Sequence, residues 1–264
     1  MMINALRSHW PEYLIEAFCL GVFMISAGAF TDLLEYPGSP VHQAIANPDV
    51  RRALIGLAMG LTAMALIYSP WGRQSGAHMN PAVTLTFFRL GKVPAWDAVF
   101  YIAAQFIGGL LGVLLTRAAL GASFAHPAVN YIVTVPGAAG EAAAFAGEVI
   151  ISCGMMLMIL FVTNEPRLAR YTGVFAGLLL ALYITLEAPY SGMSINPART
   201  VASALPSGVW TAAWIYFVAP IGGMLLAVEI RRGLLRGAHA ACAKLNHHND
   251  RRCIFCEARQ SNPL

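Results

Sequence analysis

The tripeptide Asn-Pro-Ala occurs twice, as Asn80-Pro81-Ala82 and as Asn196-Pro197-Ala198. Asparagine is a favoured N-cap and proline suits the first helical position, so each copy reads as a helix start. A single copy says little, because a given tripeptide arises by chance in roughly one chain in thirty of this length. Two copies, each opening a short apolar run, aim two helix N-termini and two side-chain amides at whatever lies ahead of them. Each N-terminus carries about half a positive charge, and each amide NH₂ can donate hydrogen bonds to a passing oxygen. Arg199 follows the second copy directly and adds a fixed charge with a planar fork of donors. Glu16 and Glu148 stand inside apolar stretches, where a carboxylate is costly and needs partners. Such a set can sort neutral from charged molecules. It contains no nucleophile with its base, no phosphate-binding glycine loop and no intramembrane metal cluster, so an enzyme is not expected, nor a cofactor.

The elements that must carry these residues lie in lipid. Hydrophobic residues make up 58% of the 264-residue chain and charged residues 11%, against about a quarter charged in soluble domains. Six apolar stretches, 13–31, 52–68, 95–115, 142–163, 171–188 and 209–230, approach the ~20 residues that a helix needs to cross the hydrocarbon. Two others, 82–90 and 198–205, would reach only ~12–14 Å. Half-length helices survive at membrane depth only inside protein or beside a water-filled path.

Both short pieces sit at matching places, between spans two and three and between spans five and six. Glu16 and Glu148 match as well, as do Gly108-Gly109 and Gly222-Gly223. Two halves of three spans insert with opposite orientation, which makes the repeat an inverted one. The expected architecture is an all-α membrane domain over 1–232, with repeats at about 10–120 and 140–232, followed by a basic tail over 233–264. Lys and Arg in the short loops favour both termini in the cytoplasm of a multi-pass protein of the cell (inner) membrane. Arg51 and Arg52, on the outer side, run against that bias. Seven of the 17 Lys and Arg lie from Arg231 onward. Directly after an apolar span, this basic stretch reads as a cytoplasmic flank able to touch anionic lipid, and a nucleic-acid partner is not expected.

The segments Ser75-Gly76-Ala77-His78-Met79-Asn80-Pro81-Ala82-Val83-Thr84 and Ser194-Ile195-Asn196-Pro197-Ala198-Arg199 resemble the aquaporin, or major intrinsic protein, family, and the likeness runs from Glu16 to about Ile230. It implies six tilted helices, two reentrant half-helices and a homotetramer with one pore per subunit. The activity it implies is passive passage of water and other small uncharged solutes, with protons and ions excluded. It also implies that Glu16 and Glu148 brace the half-helix loops, that His78 lies in the cytoplasmic vestibule, and that Arg199 belongs to an outer constriction with Ile184, Met193 and either Met59 or Gly60. Strict water channels of the family place His at the Ile184 position and an aromatic at the Met59 position. Thr200, Ala204 and the pair Tyr216-Phe217, by contrast, follow the water-channel pattern. A glycerol- or peroxide-type facilitator is the alternative, and a proton-coupled transporter using Glu16 or Glu148 a more distant one.

The five cysteines suggest no disulfide framework. In the tail, Cys253-x-x-Cys256 with His247 and His248 nearby offers zinc-ligand types, in a spacing that fits no established finger. The plainer expectation for the tail is a disordered cytoplasmic extension.

Overall fold

The structure, a computed structural model, describes residues 2–234, 241–247 and 249–260. Among these, six long helices and two half-helices carry the architecture. We label them α1 (Met2–Glu35), α2 (Pro48–Tyr68), α3 (Pro81–Arg89), α4 (Ala95–Leu120), α5 (Glu141–Val162), α6 (Thr172–Leu186), α7 (Pro197–Ser207) and α8 (Ile215–Leu234), with α9 (Ile254–Gln260) in the tail. α1, α2, α4, α5 and the stretch 169–186 that contains α6 are long and apolar enough to cross a bilayer. α8 has 20 residues and bears Arg231 and Arg232 in its last turn.

The packing follows one pattern in both halves. α1 lies along α4 as α5 lies along α8, and α2 pairs with α6 across the middle. Each half-helix crosses to the opposite half, α3 against α8 and α7 against α4. Glycine permits the closest crossings. A Cβ at Gly108 would stand 2.0 Å from the Ala17 carbonyl, and one at Gly223 2.5 Å from the Val149 carbonyl. The true counterpart of Gly108 is therefore Gly223; the Gly-Gly dipeptides match one residue out of register, because Gly222 faces open space.

Two helix boundaries differ from the hydropathy reading. α1 begins at Met2, eleven residues before the apolar stretch, since a helix already nucleated in lipid continues into water at little cost. α8 begins at Ile215, because the apolar residues ahead of it form turns, with Ala212 at φ 49° and with Trp210 and Trp214 exposed. Indole rings at such a boundary suit the headgroup level. Arg51 and Arg52, expected on the outer side, are both engaged. Arg51 pairs with Glu35 (3.1 Å) and donates to the Ile45 carbonyl (2.8 Å), while Arg52 donates to the Thr185 carbonyl (2.9 Å) and pairs with Asp49 (2.7 Å).

Candidate functional site

The site is built from two loops of the same design. Ahead of α3, Gly76, Ala77 and Met79 take φ values of 103°, 56° and 50°. Ahead of α7, Gly192, Met193 and Ile195 take 81°, 54° and 48°. Left-handed backbone at a non-glycine residue costs about 1–2 kcal/mol, so something must hold it. In the first loop the Glu16 carboxylate, fully buried, accepts from Ser75 Oγ (2.7 Å), His78 N (3.0 Å), Met79 N (2.6 Å) and Gln105 Nε2 (2.9 Å). In the second, the equally buried Glu148 accepts from Ser194 N (2.5 Å) and Ile195 N (2.7 Å) and shares the Ser191 hydroxyl (3.1 Å) with Glu187 Oε2, which lies closer to it (2.8 Å). A tyrosine completes each loop: Tyr101 donates to the Ser75 carbonyl (2.7 Å) and Tyr216 to the Ser191 carbonyl (2.6 Å).

The loops meet at the two asparagines. Asn80 Oδ1 accepts from Ala82 N (2.9 Å) and Asn196 Oδ1 from Ala198 N (3.0 Å), which leaves each amide NH₂ pointing away from its own helix. Asn80 Nδ2 then donates to the Ile195 carbonyl and Asn196 Nδ2 to the Met79 carbonyl, both at 2.7 Å. Each Asn thus ties its half-helix to the other's loop. Of the two N–H bonds on each amide, one makes the tie and one is left over. Pro81 and Pro197 occupy the first helical turns, where no backbone N–H is required.

Both asparagines line one elongated cavity of about 370 Å³. His78, Met59, Ile184, Met193 and Arg199 line it too, so the structure gathers these residues around one lumen. Of the two span-two candidates, Met59 faces this lumen. Gly60 faces α6, where a Cβ would stand 2.4 Å from the Gly177 carbonyl. Arg199 Nη1 is buried and has no protein partner among the described residues. The braces Glu16 and Glu148 lie behind the lumen wall, not in it. Ser75, Ser191, Tyr101, Tyr216 and Gln105 were not singled out as site residues from sequence, although Ser-Gly precedes both asparagines at the same distance (Ser75-Gly76, Ser191-Gly192).

At its other end the cavity is bounded by the tail, through Leu245. His78 Nε2 meets the Ala243 carbonyl (2.8 Å), and Leu245 N donates to the Gly76 carbonyl (3.1 Å). The His78 ring lies parallel to Phe87 on one side (5.3 Å) and Phe255 on the other (5.7 Å). The expected disordered tail is instead folded over 241–247 and 249–257, because its apolar residues Ala243, Leu245, Ile254 and Phe255 bury against the pore loop. Lys244 is buried rather than turned to lipid or water, donating to the carbonyls of Arg73 (2.8 Å) and Arg252. Burial pushes its ammonium below the usual range, while Cys253 and Cys242 oppose that shift. His247, Cys253 and Cys256 come together with Cys242, which no spacing in the sequence links to them. His248 lies outside the described residues.

A family model described as "Major intrinsic protein" matches residues 7–230. The chain belongs to the major intrinsic protein family. Among similar family members is a probable aquaporin NIP-type of Nicotiana alata, 37% identical over 173 residues, or 65% of this chain and 62% of that protein. Another is aquaporin NIP2-3 of Zea mays, 34% identical over 209 residues, or 78% of this chain and 67% of that protein. The chain therefore spans roughly three fifths to two thirds of the length of these relatives. The solved aquaglyceroporin from Plasmodium falciparum shares the fold, with a TM-score of 0.72 at 19% identity over 85% of this chain and 96% of that one. Membership of the family makes the chain a multi-pass membrane protein.

Proposed function

We propose that the chain is a passive channel that conducts water and other small uncharged solutes and excludes protons and ions. The observation that carries this is the pair of cross-tied asparagines in the wall of one continuous lumen. Two half-helix N-termini converge there, and their summed partial charge of about one positive unit opposes any cation. The spare N–H on each amide donates to a permeant oxygen. A water that accepts both has its own protons directed outward and relays none through the centre. Arg199, with Nη1 buried and without a protein partner among the described residues, offers a donor and a fixed charge at a second point, walled by Met59, Ile184 and Met193. These four form the selectivity filter in this reading, and His78 the inner vestibule. Glu16 and Glu148 act as braces: each is fully buried and saturated by the donors named above, which disfavours a proton carrier.

A wider solute range has a specific observation in its favour. The filter holds one charged donor and three apolar walls, two of them flexible methionines. The relatives named NIP-type aquaporins and the structural neighbour titled an aquaglyceroporin agree with it. The subunits assemble as a homotetramer, each with its own pore, in the cell (inner) membrane. Both termini lie in the cytoplasm, and Arg252 of the tail donates to the Ser8 carbonyl near the start of α1 (3.0 Å), on one face of the protein.

Stopped-flow swelling of proteoliposomes in sucrose, glycerol and peroxide tests the reading, using the chain ended after Leu234. Water flux well above bare lipid, independent of an imposed proton gradient, is expected. Entry of water, glycerol and peroxide no faster than through lipid alone would refute it.

A further inference from the structure

The four ligand-type atoms Cys242 Sγ, His247 Nε2, Cys253 Sγ and Cys256 Sγ are gathered in a segment that lies beyond the family domain. Cys242 Sγ stands 3.4 Å from Cys253 Sγ and 3.8 Å from Cys256 Sγ, and Cys256 Sγ stands 3.9 Å from His247 Nε2. The four residues can each bring a ligand atom within 4.8 Å of all the others. A tetrahedral zinc with Zn–S of ~2.3 Å has S···S edges of about 3.8 Å and S···N edges of about 3.5 Å, so the cluster needs only small adjustment to close on one ion. Three Cys and one His make a closed structural zinc set with no position left for water. Three thiolates, a neutral imidazole and Zn²⁺ carry one net negative charge. Lys244 is buried beside them and interacts with Cys242, Cys253 and Cys256.

The order of the ligands along the chain shows what they hold. Cys242 and His247 bracket Ala243–Leu245; Cys253 and Cys256 bracket Ile254-Phe255. Those bracketed residues are the ones that meet the inner end of the lumen, through His78, Gly76 and the Phe255 ring. Among the described tail residues the only helix is α9, of 7 residues, too short to hold itself together in water. A metal that binds the folded segment and not the unfolded one supplies folding energy directly.

We propose that Cys242, His247, Cys253 and Cys256 coordinate one zinc ion that staples the tail across the inner mouth, so that the zinc-loaded chain is the closed channel. The coordination half stands by itself; the closing half rests on the channel reading above. Zinc binding displaces the thiol protons to water. Chelation frees the segment and opens the lumen at His78 and the Gly76 carbonyl to the solution at the inner mouth.

The test uses the full-length protein, purified with zinc(II) and reconstituted in liposomes. Metal analysis should find one zinc per chain, lost in Cys253→Ser/Cys256→Ser and after treatment with a strong chelator. Water permeability should rise several-fold on chelation, in the Ser variant and in the chain ended after Leu234. Leu245→Gly/Phe255→Ala keeps all four ligands and should keep the zinc yet conduct faster, which separates occlusion from coordination. Size-exclusion elution matching the parent guards against misfolding. A purified chain that takes up no zinc, or one in which mass spectrometry finds a Cys242–Cys253 disulfide, overturns the coordination. Zinc bound with equal permeability in every form overturns the closure. If every form, the tail-less chain included, is as impermeable as bare lipid, the channel reading fails and takes the closure with it, while zinc content still decides the coordination.

Discussion

The two ends of the lumen are built on one plan and finished differently. Each loop carries left-handed residues, a buried carboxylate that collects its N–H groups, a Ser-Gly turn, a tyrosine on the serine carbonyl and an Asn cap reaching across to the other loop. The inner end then continues Pro81-Ala82-Val83 and is covered by Leu245 and Phe255 of the tail. The outer end continues Pro197-Ala198-Arg199 and leaves a guanidinium nitrogen without a protein partner among the described residues. What the halves share holds backbone in place. What they do not share, Arg199 at one end and the His78–tail contact at the other, is where we propose that selection and control are located.

The harshest way to break the comparison is to remove a brace. Glu16→Ala or Glu148→Ala leaves two buried backbone N–H groups without their acceptor, at about 1–3 kcal/mol each; Glu16→Ala also strands the Ser75 hydroxyl, whereas the Ser191 hydroxyl keeps Glu187 Oε2 at 2.8 Å. Each variant should lose several kcal/mol of stability, read as a sharp fall in thermal midpoint and in yield of folded protein, and Glu→Gln should recover part. Because Glu187 stands beside Ser191 as a second carboxylate and Ser75 has no such neighbour among the described residues, Glu16→Ala should be the costlier of the two. A Glu16 variant that folds normally while its Glu148 counterpart does not would overturn that order.

Next comes the residue that breaks the repeat. In the chain ended after Leu234, Arg199→Ala should raise cation and proton leak. Loss of about 1–2 kcal/mol of barrier corresponds to a rise on the order of ten-fold. Val83→Ala, at the matching place of the inner half, should change leak little. Equal leak from both would move the ion barrier to the paired helix ends alone. Ile184→His refines the same contrast. A second donor in the outer ring narrows it and binds water, so the ratio of water to glycerol flux should climb by a few-fold, an effect of about 1 kcal/mol. An unchanged ratio would take Ile184 out of the filter.

Much of this was legible in the residues because the costs involved are large. Hydropathy exposes helices that lipid must surround, and Asn-Pro-Ala exposes caps that have no competing local structure. Glu16 and Glu148 were visible because a carboxylate in an apolar span cannot go unpartnered. The brace partners were harder to find. Ser75, Ser191, Tyr101 and Tyr216 are ordinary residues whose meaning comes only from where the helices carry them, and in the sequence Tyr216 reads as a marker of solute class rather than as a support. The tail was harder still. Cys242 lies eleven residues before Cys253, and no local periodicity links them; only the pore loop, offering the Gly76 carbonyl and the His78 ring, gives the intervening chain a surface to fold on. Met59 and Gly60 could not be separated by counting, because adjacent helical residues point to different neighbours and the deciding contact, Gly60 with Gly177, belongs to another span.

The gentlest change tests the shared plan at a single bond. Tyr101→Phe removes the hydroxyl that donates to the Ser75 carbonyl and keeps the ring, which packs at 5.4 Å from His78 and 5.8 Å from Phe255. Tyr216→Phe does the same at the Ser191 carbonyl. Each loses one buried hydrogen bond, about 1 kcal/mol, or a few degrees in thermal midpoint, with water flux little altered because neither hydroxyl contributes to the lumen. If the two loops are equivalent supports, the two shifts should agree and should add in the double variant, since the tyrosines brace opposite ends and share no partner. A larger shift for Tyr101→Phe in the full-length chain that vanishes in the chain ended after Leu234 would mean that the excess came from the tail packed on His78 and not from the brace. The plan would then be the same at both ends after all, with its asymmetry added from outside the repeat.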